Sequence, residues 1–323
     1  MSIRRNPYSI DVIVPCYQEQ DALPITAPKI AAYFRDLVAS PSNDAMSFRL
    51  LLVDDGSKDS TWGIIEGLSE ANPEIEGVKL SRNYGHQAAM LSGLSLATAD
   101  VVVTMDADLQ DDIHAVSAML DAYESGADMA LGVRQDRSSD SRGKRGFANA
   151  YYRLLRLMGV NIIENHADFR LMSRKALAAL LDHGEVNLFL RGLIPTIGFS
   201  VMLVPYARQA RVAGETKYTI GKMLRLAIDG ITSFSVAPLR YVAFVGGGVF
   251  LGSILSGIYV LCVRLFSPQT TVPGWASTLL PLLFLGGLHI LCIGVVGEYV
   301  GKIYLEVKRR PRFIIAERTK SAE

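Results

Sequence analysis

Two long charge-free runs do most to limit what this chain can become. Val242 to Val263 contains no Asp, Glu, Lys or Arg. As an α-helix rising about 1.5 Å per residue it would reach roughly 33 Å, enough for a hydrocarbon core of about 30 Å. Ala276 to Val296 is a second such run. The linker, Arg264 to Trp275, is short and carries Pro268, Pro273 and Trp275, which suits a turn at the far interface. Two spans return the chain to the side it left. Beyond them lie Lys302, Lys308, Arg309, Arg310 and Arg312, against Arg264 alone in the linker. By the positive-inside rule the tail, the N-terminal region and both termini face the cytoplasm at the inner (plasma) membrane. Just before the first run, Ile220, Met223, Leu224, Ala227, Ile231 and Phe234 share one helical face, and Lys222, Arg225 and Asp229 the other. That pattern predicts an amphipathic helix in the plane of the bilayer, in contact with membrane lipid.

Half of the 323 residues are hydrophobic, but the excess lies mostly after Tyr241. A soluble domain followed by a membrane region is the expected division: 1–216, an interface helix over 217–237, a two-helix region over 238–300, and a basic tail over 301–323. The N-terminus shows neither the apolar core nor the cleavage site of a secretory signal. A net charge of +1 gives no basic field, so no nucleic-acid partner is expected. The three cysteines, Cys16, Cys262 and Cys292, form no CxxC pair and suggest neither disulfides nor a zinc site.

The N-terminal region alternates apolar strands with helical segments. Strands are predicted at Ile10–Val14 (ended by Pro15), Phe48–Val53, Gly77–Leu80, Val101–Thr104 and Met129–Val133. Helices are predicted at about Leu23–Val38, Gln87–Ala97, Asp112–Ser125 and Phe147–Met158. Polar clusters follow the strands, as in a mostly parallel α/β sheet, where ligands bind beyond the strands' carboxyl ends. Pro15, Tyr17 and Glu19, then Asp54 and Asp55, Arg82 and Asn83, and Asp106 and Asp108 should therefore converge on one rim. The stretch VVVTMDADLQDD is central. Its two carboxylates, where a buried strand surfaces, suit a hard divalent cation, Mg²⁺ or Mn²⁺. Burying like charges together is costly unless a cation offsets them.

The segments VIVPCYQE, LLVDDGSKDST, LSRNYGHQAAMLSGL and TMDADLQDD match successive motifs of family 2 glycosyltransferases of the GT-A fold. From about Val12 to about Arg312 the chain resembles the polyprenyl-phosphate glycosyltransferases, such as bactoprenol glucosyltransferases and dolichol-phosphate mannose synthases. The resemblance implies that Pro15, Tyr17, Glu19 and Asp54 or Asp55 hold the nucleotide base and ribose, with Arg82 and Asn83 on the same donor side. It implies that Asp106 and Asp108, with Gln110 beside them, hold the metal on the donor diphosphate. Arg134 or Arg137 would bind the acceptor phosphate, Arg134 being a catalytic candidate too. Asp168, in HADFRLM, would be a general base or a positioning residue. Arg211 and Lys217 fall in an RxxGxSKY-type motif, with Thr216 in the serine position, and would also meet acceptor phosphate. His86 is read as a helix-start or packing residue.

The expected reaction is an inverting transfer of hexose, glucose from UDP-glucose first, to polyprenyl phosphate such as undecaprenyl phosphate. GDP-mannose or another UDP-sugar is the alternative donor. A processive synthase would carry a QxxRW-type motif, which is not found, and a catalytically inactive membrane scaffold is the non-enzymatic alternative. Small-xxx-small spacing at Gly248 and Gly252, and at Gly297 and Gly301, suggests a homo-oligomer, with a tetramer as the family precedent.

Overall fold

A computed structural model of the chain describes residues 7–40, 45–134, 163, 166–185, 190–207, 235–266 and 275–320. Its N-terminal part is a sheet with helices on both faces. The elements run β1 (Tyr8–Cys16), α1 (Leu23–Ala39), β2 (Ala45–Asp54), α2 (Thr61–Ala71), β3 (Ile75–Leu80), α3 (His86–Leu96), β4 (Val101–Thr104), α4 (Ala115–Glu124), β5 (Met129–Arg134), β6 (His166–Ser173), α5 (Arg174–Leu181), the short α6 (Leu190–Leu193) and β7 (Val201–Tyr206). Two long helices, α7 (Ala237–Phe266) and α8 (Trp275–Val307), and a last strand, β8 (Ile315–Arg318), complete it.

The eight strands are ordered β7-β5-β6-β4-β1-β2-β3-β8. The pairs β1–β2, β1–β4, β2–β3 and β5–β7 are parallel. The pairs of β6 with β4 and β5, and of β8 with β3, are antiparallel. The sheet is thus mixed, its parallel part lying where the sequence pattern runs strand, helix, strand. Successive residues of the inner strands feed different cores. Val12, Val14, Leu50, Leu52 and Val103 pack with α1, α2 and α4. Ile13, Leu51, Val53 and Val102 pack with α3 and α5. Burial on both faces explains why these strands read as unbroken apolar runs rather than alternating ones.

Pro15 does not end β1; it lies inside the strand, opposite Val53. Pairing of β1 with β4 stops at Ile13 and Thr104, where the Met105 amide reaches the Ile13 carbonyl. Pro15 has the same parity as Ile13, so its missing N–H faces a side on which β4 has already left the ladder. Proline there removes no ladder bond.

Helices α7 and α8 are long and apolar enough to cross a membrane, and their apolar windows, Ala237–Ser256 and Phe284–Val307, are unburied within the chain. α8 runs past the predicted end of its span. The tail does more than carry charge. β8 pairs with β3 at Arg318–Val78, Glu317–Lys79 and Ile315–Leu80. Lys79 Nζ lies 2.9 Å from Glu317 Oε1, and Arg318 Nε donates to Glu76 at 3.0 Å. The residues before α7 and after α8 therefore share one sheet. The predicted helices at Phe147–Met158 and at 217–237 lie outside the described residues, apart from the last few of the second.

Candidate active site

The loops after β1, β2, β3 and β4 meet on one rim. Asp55 is buried and accepts from the amides of Tyr84 and Gly85 at 2.7 and 2.9 Å. Both its oxygens thus staple the loop after β3 to the loop after β2. Gly56 makes this closeness possible. Its φ is +64°, and a Cβ there would lie 2.4 Å from the Arg82 carbonyl carbon. Asp54 is buried and accepts from the Ser57 amide at 3.0 Å. Its Oδ2 has no hydrogen-bond partner among the described residues. Burial holds both carboxyls above the usual aspartate range, against the bonds from Ser57 to Asp54 and from Tyr84 and Gly85 to Asp55.

Across the same rim, Gln18 and Glu19 donate their amides to Ser57 Oγ and Thr61 Oγ1 at 2.9 and 3.0 Å, tying the loop after β1 to the start of α2. Cys16 lies behind that loop; burial, Glu19 and Asp54 push its thiol up. Tyr17 is exposed, as are Arg82 and Asn83, with the Arg82 guanidinium 4.0 Å from the centre of the Tyr84 ring. Of the predicted donor-side residues, Asp55 is committed to the backbone. Asp54 keeps Oδ2 unpartnered among the described residues, Tyr17 is exposed, and Arg82 NH1 donates to the Asn83 carbonyl at 3.3 Å.

β4 ends at Thr104, so Asp106-Ala107-Asp108 forms a turn rather than strand. Strand alternation therefore does not orient the two carboxylates. The turn is closed by Leu109 at φ +49° and by the Gln110 amide, which donates to Asp108 Oδ1 at 3.2 Å. The Gln110 side chain is buried.

The antiparallel register brings in the other half. Thr104 pairs with Arg170, so two residues onward along β4 meet two residues back along β6, placing Asp106 near Asp168. Thr104 Oγ1 fixes this by donating to the Asp168 carbonyl at 2.6 Å. Asp168 is buried, and its Oδ1 lies 2.6 Å from the fully buried Arg170. A buried guanidinium needs such a partner. A carboxylate so paired is better suited to orienting groups than to taking a proton.

Three residues at this junction stand out only in the structure. His86 Nε2 lies 3.5 Å from both Asp106 Oδ1 and Asp168 Oδ2. It does start α3, as its sequence context suggests, but it also bridges the two carboxylates. Gln87 Nε2 donates to Asp168 Oδ2 at 3.4 Å and its Oε1 accepts from the Leu190 amide at 3.3 Å. Tyr206, on β7, donates to buried Asp111 and accepts from Arg134 Nε at 3.1 Å. Arg134 NH2 also lies 3.4 Å from Asp111. Arg134 is thus held from two sides, with about a third of its side chain open. Burial and the Asp111 charge push the Tyr206 hydroxyl far up, so it stays protonated. Arg137, Arg211 and Lys217 lie outside the described residues.

Burial raises the Asp106 carboxyl to about 6, helped by Asp111, Asp168 and Asp108 and opposed by His86. Asp106 Oδ1 makes no hydrogen bond among the described residues, the approach of His86 Nε2 at 3.5 Å being an ion-pair distance only. Surplus carboxylate charge of this kind fits a hard divalent cation. Among the described residues no three acidic, His or Cys groups form an enclosing cage. A cation held by one or two carboxylates and completed by substrate phosphate oxygens needs none.

The uncharacterized glycosyltransferase YkoT of Bacillus subtilis (strain 168) is 43% identical over 308 residues, covering 95% of this chain and 90% of that one. The bactoprenol glucosyl transferase of Shigella phage SfX is 38% identical over 310 residues, covering 96% and 99%. The prophage bactoprenol glucosyl transferase homolog of Escherichia coli (strain K12) is 37% identical over 307 residues, covering 95% and 98%. Among solved structures, glucosyl-3-phosphoglycerate synthase from Mycobacterium tuberculosis, in complex with phosphoglyceric acid, overlaps 71% of this chain and 80% of that one. Its TM-score is 0.48 and its sequence identity 17%. The family model Glycosyl transferase family 2 matches residues 11–181, from within β1 to the end of α5. With that match and these relatives aligned over nearly their whole length, the chain belongs to glycosyl transferase family 2.

Proposed function

We propose that this glycosyltransferase moves glucose from UDP-glucose to a polyprenyl phosphate at the cytoplasmic face of the plasma membrane, with inversion. One observation carries the reading. The relatives named bactoprenol glucosyl transferases align over nearly their whole length at 37–38% identity.

The site geometry supports a chemistry for that transfer. Tyr17, Glu19, Asp54, Arg82 and Asn83 border the space for the nucleotide. Asp106 and Asp108, beside Gln110, would hold a Mg²⁺ or Mn²⁺ ion, which when bound offsets the charge of the leaving diphosphate. An acceptor phosphate oxygen attacks the anomeric carbon as the bond from that carbon to the diphosphate breaks. The products are UDP and a polyprenyl-monophosphate sugar. No proton need be removed, because the second ionisation of a phosphate monoester lies near 6. Asp168 therefore acts as a positioning residue, locked by Arg170 and Gln87, and the bridging His86 keeps the donor and acceptor halves in register. Arg134, steadied by Asp111 and Tyr206, offers a planar fork to the acceptor phosphate. Arg137, Arg211 and Lys217 are proposed to join it. The small-xxx-small faces of the spans are proposed to pair copies of the chain.

The test is transfer of label from UDP-glucose into organic solvent in the presence of undecaprenyl phosphate and Mg²⁺ or Mn²⁺. Transfer that EDTA abolishes and Asp108→Asn lacks supports both donor and metal site. Transfer only from GDP-mannose or another UDP-sugar removes glucose. No transfer from any donor favours an inactive scaffold.

A further inference from the structure

The end of α8 carries a cationic pocket, distant in sequence from the motifs above. An open cavity of about 580 Å³ is lined by Arg309, Arg310, Arg312, Glu306, Pro311 and Gly184. Arg312 is already spent: its NH2 donates to the His183 carbonyl, fixing the chain after α8 against the end of α5. Arg309 and Arg310 are exposed and have no ion-pair partner among the described residues. Glu306 is the one acidic lining residue, so the pocket keeps a cationic excess. The backbone is committed to this shape. Arg309 sits at φ +46°, a left-handed position usually left to glycine, and its amide closes the turn on the Glu306 carbonyl at 3.1 Å.

Two placements identify the ligand class. First, the last turns of α8 leave Ile303, Tyr304, Leu305 and Val307 more than half exposed, and Val307 is 73% exposed. These side chains point to several sides of the helix, so its exposed apolar end leads in sequence into the cationic turn at Arg309 and Arg310, the two-part profile of an anionic amphiphile. Second, the chain leaves the pocket for the catalytic rim. The Ile314 carbonyl accepts from the Ser81 amide at 2.9 Å, beside the loop of Arg82 and Asn83. The pocket therefore sits between the membrane helix and the rim where the strands' carboxyl ends lie.

We propose that Arg309 and Arg310 bind the phosphate of an anionic lipid, with its acyl or prenyl chain lying along the last turns of α8. Guanidinium groups suit phosphate oxygens through paired N–H donors. The proposal rests on the two-span reading and needs no particular sugar donor. Bulk anionic phospholipid and polyprenyl phosphate present the same group, and the experiment separates them.

The full-length protein in detergent is mixed with phosphatidylglycerol, phosphatidylcholine or undecaprenyl phosphate at equal mole fraction, or with inorganic phosphate. Retention is read by native mass spectrometry. The expected result is retention of one or both anionic lipids over phosphatidylcholine. Arg309→Gln and Arg310→Gln each weaken retention by about tenfold, as loss of a charge-assisted contact does. Lys29→Gln, on the exposed face of α1, leaves it unchanged. A preference for phosphatidylglycerol assigns the pocket to bulk lipid, and one for undecaprenyl phosphate to a waiting acceptor. Equal retention of phosphatidylcholine by the unsubstituted protein overturns the proposal, whatever the variants do. So does unchanged retention in the double variant, or inorganic phosphate binding as tightly as lipid. Because the readout is binding, a failure of glucose transfer cannot be mistaken for a failure of this site.

Discussion

Asp106 is where function and stability pull apart. Its carboxyl is raised to about 6 from an ordinary 3.8, by burial and then by its acidic neighbours. The folded chain thus holds this proton more tightly than the unfolded chain does. The stability it contributes is complete below the ordinary aspartate range and is lost as pH climbs from there to about 6. Above that window the metal-free protein carries an unfavourable charge. Its cost is about 1–2 kcal/mol once solvent screening at this one-third-exposed side chain is allowed for. Asp106→Asn should therefore melt at a higher temperature than the unsubstituted protein at pH 7.5 in EDTA, and at the same temperature below pH 4. Adding Mn²⁺ with UDP should reverse the order, because only the carboxylate gains a cation, and the variant should be inactive. A variant that is no more stable at pH 7.5 without metal would remove the argument for surplus charge at this turn.

At the scale of elements, β8 is the strand with most to explain. It covers the edge of β3, presents Glu317 as a charged outer residue, and leads in through the Ile314–Ser81 bond that steadies the loop after β3. Deleting residues 313–323 should lower stability by about 2–4 kcal/mol, given several lost hydrogen bonds. It should also raise the KM for the nucleotide sugar several-fold while leaving kcat at saturating donor nearly unchanged. An unaltered KM would make β8 an edge cover only. Nothing in the residues IAER announces this strand, because its partner is distant and its context is basic tail. The inner strands were legible because burial on both faces imposes unbroken apolar runs such as VVVT and LLLV. β6 was harder to see, since Asp168 and Arg170 make HADFRLMS look polar until they are seen to neutralise each other. Its antiparallel direction was hidden too, and with it the register that sets Asp106 near Asp168. The polar clusters named the rim, but they could not show that Asp55 is consumed by backbone amides or that His86 spans the two carboxylates. Those facts depend on what lies across the gap, which local spacing does not encode.

For the whole molecule, the sheet itself constrains how the chain meets a membrane. β1 to β7 precede α7, and β8 follows α8, yet β8 hydrogen-bonds to β3 in the same sheet. A strand cannot join a ladder across a bilayer, so any path through α7 and α8 must cross an even number of times. Two helices with apolar windows unburied within the chain satisfy that condition as a hairpin. A single crossing, with one helix lying on the surface, would tear β8 from its partner. The positive-inside rule predicts the face, since Lys302, Lys308, Arg309, Arg310 and Arg312 cluster at and beyond the last turns of α8. Cysteines placed singly at Lys58 and Glu317, in a chain whose three native cysteines are replaced by serine, should both be labelled by an impermeant maleimide only after cells are opened. A cysteine at Gln269, between the spans, should be labelled in intact cells. Labelling of only one of the first two positions in intact cells would break the hairpin and the shared sheet together. Labelling of both would keep the sheet and reverse the face, placing the catalytic rim away from cytoplasmic nucleotide sugars.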